Sequence, residues 1–168
     1  MNVFVVIGHQ NPGSFCHAIA AAAVDELTAA GHEVVYHDLY AEKFDPILPD
    51  AEIPKEAPLD PVVARHCREV TAADGYLVVH PNWWAMPPAI LKGWLDRVWR
   101  QGVVYQFGPG GVETLLNGPG PSCSPPRTRP ATTSCGSTAI RWKISGRRAS
   151  SACAASMTFC AATSSRSS

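Results

Sequence analysis

The chain has no apolar run approaching the roughly 20 residues that a bilayer-spanning helix needs. Its start, MNVFVVIGH, has no basic segment ahead of the apolar one. A membrane span and a secretory leader are therefore not expected, and a cytoplasmic chain with reduced thiols is. Net charge is lacking too: 14 Lys and Arg balance 14 Asp and Glu, which argues against nucleic acid as a partner, since phosphate backbones select basic surfaces. The six cysteines (Cys16, Cys67, Cys123, Cys135, Cys153 and Cys160) form no CxxC pair and no metal-ligand spacing. Neither a zinc site nor a disulfide framework is expected, and free thiols are.

The most informative absence is local. Residues 1–120 hold all 14 acidic residues, 7 basic ones, all 6 histidines and a single serine, Ser14. Residues 121–168 hold no acidic residue, 7 basic ones, 12 serines and four of the six cysteines. The neutral total joins a segment of charge −7 to one of +7.

What is present begins as strand, loop, helix. Val3–Ile7 is a continuous β-branched and aromatic run ending at Gly8, as expected of a strand buried on both faces. Ser14 is placed to cap a helix over Phe15–Ala30, with Ile19, Ala23, Leu27 and Ala30 on one face and Gly31 as its stop. A second strand, Glu33–His37, follows, and this βαβ order predicts a doubly wound parallel α/β sheet. Asp38 to Pro61, rich in proline and acids, reads as a long surface connection. Val62–Ala73 reads as a helix and Gly75–His80 as a third strand. Pro87 and Pro88 precede a helix with the stripe Ile90, Leu91, Trp94, Leu95 and Val98. A fourth strand is due soon after Leu115 and is not found; no sustained strand or helix pattern follows Pro121.

Two loops could carry chemistry. GHQNPGSF ends at a helix N-terminus, where free backbone N–H groups and the helix dipole favour a phosphate. Ser14 could add a hydroxyl and His9 a ring N–H. On this loop alone, a capped turn with an incidental histidine is the simpler reading. HPNWWAMPP follows the third strand, at the carboxyl edge where open α/β sheets bind ligands, and flat aromatic walls suit a planar, electron-poor ring such as isoalloxazine. One tryptophan of the adjacent pair is expected to pack in the core, and Trp94 and Trp99 are expected to be core or interface residues rather than cofactor contacts.

Taken together, GHxxPxSF, DLY, WWxxPPAILKGWLDRV and a following GxxY resemble the NAD(P)H dehydrogenase (quinone) family, over residues 2 to about 118. The resemblance implies a flavodoxin-like fold, a flavin cofactor (FAD or FMN), and hydride transfer from NAD(P)H through the flavin to a quinone or other small acceptor. It also implies a homodimer, with Trp99–Tyr105 near the partner. Carried over by position, His9, Ser14 and Phe15 match the flavin-phosphate loop, with Cys16 where an asparagine is usual. Pro81, Asn82, Trp83 and Trp84 match the segment along the flavin ring, and Ala85 replaces a bulkier residue found in some members. The family's loop after its fourth strand, which holds the N1–O2 edge of the ring and supplies tyrosine and histidine for proton transfer, has no counterpart here. A flavodoxin-like electron carrier, or a product disabled by its incomplete sheet, are the alternative readings.

The tail has the composition of GC-rich coding sequence read out of frame. SSACAASMTFCAAT can be encoded so that reading one nucleotide earlier yields VFGLCGVNDFLRRN. In that same frame ATTSCGSTAIRWK yields GHDELRLYGDPLE and CSPPRTR yields VFTASNT. These strings restore acids and apolar segments and resemble the family's C-terminal third. The expectation is a flavodoxin-like domain over 1–118 and a frameshifted, disordered tail over 119–168, with the shift between about Asn117 and Pro121 and an exposed sheet edge where strands are lost. A genuine disordered basic tail is the competing view.

Overall fold

The computed structural model describes residues 1–117 and, for the backbone alone, 155–161. Strand β1 (Asn2–Ile7) leads into α1 (Phe15–Ala29), β2 (Glu33–Asp38), α2 (Pro61–Ala72), β3 (Gly75–Pro81) and α3 (Ala89–Val98). A hairpin of β4 (Tyr105–Gly108) and β5 (Gly111–Thr114) follows, and β6 spans Ala155–Ala161. The main sheet has the order β2-β1-β3-β6. β1 pairs in parallel with β2 (Val3 to Val34, Ile7 to Asp38) and with β3 (Val3 to Gly75, Ile7 to Val79). This is the expected doubly wound α/β arrangement.

Alternation along β1 builds two cores. Val3, Val5 and Ile7 face α1, joining Cys16, Ala20, Leu77 and Val79. Phe4 and Val6 face α2 and α3, joining Val63, Cys67, Val70, Leu91, Trp94 and Val98. Trp94 is buried and Trp99 packs against the same cluster, as expected. Helix α1 starts at its Ser14 cap and ends in a Schellman motif: Gly31, at φ +80°, donates its N–H to Thr28 O, and His32 donates to Leu27 O. Ala30 closes that helix as an exposed C-cap rather than extending its buried face. Gly93 is required by contact, since a Cβ there would overlap the Pro46 backbone oxygen.

Three expectations change. The Asp38–Pro61 connection is not merely superficial: Leu39, Phe44 and Glu52 are buried. Arg97 on α3 anchors it, with Nε and Nη2 donating to the two Glu52 carboxylate oxygens at 3.0 and 2.6 Å and Nη1 donating to Asp45 O at 2.7 Å. The Glu52 carboxylate, accepting these bonds, raises the Arg97 pKa above its ordinary value. The hairpin at 105–114 was not anticipated. β6 also overturns the absence of any strand after Pro121, because it pairs antiparallel along β3 from Gly75–Ala161 to Pro81–Ala155 and so becomes the outer strand of the sheet in place of β3. A row of unpaired N–H and C=O groups on β3 is a template for any extended segment, and ASMTFCA has the β-branched and aromatic content to take it. The rest of the expected tail lies outside the described residues.

Candidate functional site

The first loop is shaped by its own polar side chains. Gly8 donates its N–H to Val79 O at 3.0 Å, and a Cβ there would press on Leu91 at 3.2 Å, so the end of β1 lies tight against α3. His9 is nine-tenths buried. Its Nδ1 accepts the Asn11 N–H at 3.1 Å, which puts the proton of the neutral ring on Nε2. That N–H has no hydrogen-bond partner among the described residues. Asn11 then folds the turn, its Oδ1 accepting from Gly13 N–H and its O accepting from Ser14 N–H, both at 3.0 Å.

Ser14 caps α1 as expected, its Oγ accepting the His17 N–H at 3.3 Å. It also belongs to a relay that sequence reading missed. Ser14 Oγ lies 2.8 Å from His17 Nδ1, and His17 Nε2 lies 2.9 Å from Asp38 Oδ2. Asp38 is fixed in turn, Oδ1 accepting the N–H groups of Tyr40 and Ala41 at 3.0 and 3.1 Å. The available signals were the S-x-x-H spacing, which returns His17 to the cap, and the acid of the DLY motif at the end of β2.

The second loop leaves β3 at buried Pro81 and exposed Asn82. Trp83 and Met86 exchange two backbone hydrogen bonds, at 3.1 and 2.9 Å, around Trp84 (φ 55°) and Ala85 (φ 60°). Two successive left-handed residues make a tight two-residue turn normally built from Asn and Gly. A bulky side chain there stores about 1 kcal/mol or more, a cost met most often at functional sites. The turn also corrects the expectation that one tryptophan packs inside. It sends both rings outward, Trp84 98% and Trp83 39% exposed.

The two loops meet. The His9 ring is flanked by His17, 6.1 Å away between centroids, and by Trp83, 6.4 Å away. Of the expected site residues, His9, Ser14 and Trp83 therefore gather at the carboxyl ends of adjacent strands β1 and β3. Here successive connections leave in opposite directions, and doubly wound sheets bind ligands at such a point. Phe15 and Trp84 are exposed on the same two loops. The Cys16 side chain is turned into the core under α1, so only its backbone can serve a ligand.

A second titratable cluster lies on the other face of the sheet. His37 Nδ1 contacts Glu42 Oε1 at 2.7 Å and its Nε2 contacts Glu69 Oε2 at 2.8 Å. His66, fully buried, contacts Glu42 Oε2 through Nε2 at 3.0 Å and accepts the Trp94 Nε1–H on Nδ1 at 2.9 Å. Burial first, then the neighbouring His37, lowers the His66 pKa to about 4. His37, Glu42 and His66 hold ligand atoms within 4.8 Å of one another, yet they do not form a cation cage. Trp94 can only donate, so the His66 proton must sit on Nε2 and no lone pair is left there for a metal.

A family described as flavodoxin-like fold matches residues 1–120, and the chain belongs to it. The chain is 34% identical over 122 residues to NAD(P)H dehydrogenase [quinone] 1 of Cavia porcellus, covering 61% of this chain and 44% of that one. It is 33% identical over 136 residues to human (Homo sapiens) ribosyldihydronicotinamide dehydrogenase [quinone], covering 69% and 58%. Among solved structures, an NAD(P)H:quinone oxidoreductase from Methanothermobacter marburgensis is 34% identical with a TM-score of 0.59, covering 64% of this chain and 57% of that one. The chain thus spans about half the length of these relatives. No helix among the described residues is long and apolar enough to cross a membrane.

Proposed function

We propose that this chain carries the first part of the site of a flavin-dependent NAD(P)H:quinone oxidoreductase, which passes two electrons as hydride from NAD(P)H to a quinone or similar acceptor. The observation that carries the reading is the meeting of His9, at a helix start, with Trp83 on a strained aromatic turn at the sheet's switch point. The donor set fits a flavin. The His9 Nε2–H and the amides of the first turn of α1, including that of Phe15, suit its phosphate, with Ser14 and the Cys16 backbone beside them. Pro81, Asn82, Trp83 and Trp84 suit an apolar, stacked ring. When bound, the flavin supplies the hydride-accepting chemistry; the protein's part is to hold its phosphate end at α1 and orient its ring along the β3 loop. The exposed Phe15, Trp84 and Met86 are apolar surface that a second copy would cover, consistent with a homodimer.

The composition of residues 121–168 favours a second, compatible reading: those residues are out-of-frame product, and this chain is a disabled form of the enzyme. Resequencing the gene, then comparing this chain with the frame-restored protein for bound flavin and NADPH–menadione turnover, separates the cases. Flavin bound by this chain, with turnover only in the restored protein, supports both proposals. Flavin without turnover in either protein points to an electron carrier. Neither property in either protein contradicts the flavin reading.

A further inference from the structure

We propose that the Ser14–His17–Asp38 relay couples flavin binding to the uptake of one proton by His17, so that a phosphate-bearing flavin binds more tightly as pH falls. The inference rests on the flavin reading and deepens it. It follows from counting donors. Asp38 is anchored as an acceptor by two amides, so His17 Nε2 must donate to it. The Nδ1 of a neutral His17 then carries only a lone pair, and the 2.8 Å contact requires the Ser14 hydroxyl to donate its one hydrogen there. In that state Ser14 presents lone pairs, not a hydrogen, to any anion at the start of α1. When a proton from solvent adds to Nδ1, the direction of this bond reverses. Nδ1–H donates to Oγ, the hydroxyl hydrogen turns free toward the anion, and an imidazolium charge is added beside it.

A second observation independently points to a ligand here: His9, nine-tenths buried and flanking His17, has an Nε2–H without a partner among the described residues. The groups facing His17 are few. From β2 come Asp38 and, on the same face, Tyr36, whose phenol is kept neutral by burial and by Asp38. From the β1 loop comes His9. β1 itself carries no titratable side chain on that face, and the β3 residues on that face, Gly75, Leu77 and Val79, carry none. His80, on the opposite face, is bonded through Nδ1 to Pro81 O. Asp25 and Glu26 lie more than two turns further along α1.

The test uses the full chain with FAD, whose pyrophosphate diester keeps a constant charge between pH 5.5 and 8.5, and with riboflavin, which has no phosphate. Binding is followed by flavin fluorescence. Proton uptake is read by calorimetry in two buffers of different ionisation enthalpy. The expected result is FAD affinity that weakens by up to about tenfold per pH unit as His17 becomes neutral, approaching one proton taken up per FAD. Riboflavin affinity and the His17→Gln variant should both be flat. Should that variant fold poorly, the ring ¹⁵N resonances of His17 in the native chain serve instead and should move to imidazolium values on adding FAD. FAD binding with no proton uptake, or with the same pH dependence in His17→Gln, overturns the relay and leaves the flavin reading standing. No FAD binding at any pH overturns both.

Discussion

His37 and Asp38 are neighbours at the end of β2, and because side chains alternate along a strand they build two histidine–carboxylate networks on opposite faces of one sheet. On the α2–α3 face His66 is sealed, capped by Trp94 and bonded to Glu42. On the α1 face His17 is partly open, its side chain 15% exposed and its ring nitrogens bonded to Ser14 and Asp38. The chemistry is the same and the roles differ. In the sealed network both ring nitrogens of His66 and of His37 are committed to partners, so its role is to stabilise. In the open one the direction of a single hydrogen bond is free to reverse, so it can respond to a ligand.

The largest expected effect breaks the sealed network. Glu42→Ala leaves the buried His66 N–H without an acceptor and strips His37 and Arg65 of a shared carboxylate. Urea unfolding at pH 7 should show a loss of about 3 to 5 kcal/mol. Acid should attack the same place. The unfolded chain protonates His66 near 6.5 and the folded chain only near 4, so unfolding takes up a proton in between and stability falls as pH drops. Between pH 6.5 and 4 the His66 contribution is up to about 3 kcal/mol, and a His66→Gln variant measured over the same range should show a shallower fall. Asp38→Ala, on the open face, should cost less, about 1 to 2 kcal/mol, because its partners reach water. A cost equal to that of Glu42→Ala would erase the distinction between the two networks. The smallest effect has the opposite sign. Trp84→Gly relieves one left-handed non-glycine residue and should raise stability by about 0.5 to 1 kcal/mol in thermal melts, while weakening flavin binding.

Much of this fold was legible because its signals are local. The run Val3–Ile7, the Ser14 cap, the Gly31 stop and the Ile90–Val98 stripe each declare themselves within a few residues, and the structure bears them out. What stayed hidden depends on distant partners. His17 meets Asp38 across 21 residues and Arg97 meets Glu52 across 45, so neither pair has a sequence period. The hairpin Tyr105–Thr114 was missed because all of β5 is exposed, which leaves no apolar alternation to find. At the site, residue types pointed to His9, Ser14 and the tryptophan pair. Burial could not be read from type: Cys16 turned inward, and both Trp83 and Trp84 turned outward.

The central claim is that the loops after β1 and β3 form one flavin site. Its most direct measurement is the FAD dissociation constant of His9→Ala and Trp83→Ala, one change on each loop, alongside urea midpoints that report any loss of fold. The account predicts that each change weakens FAD about tenfold or more, some 1.4 kcal/mol, with the midpoint little altered. FAD affinity unchanged in both variants would contradict it.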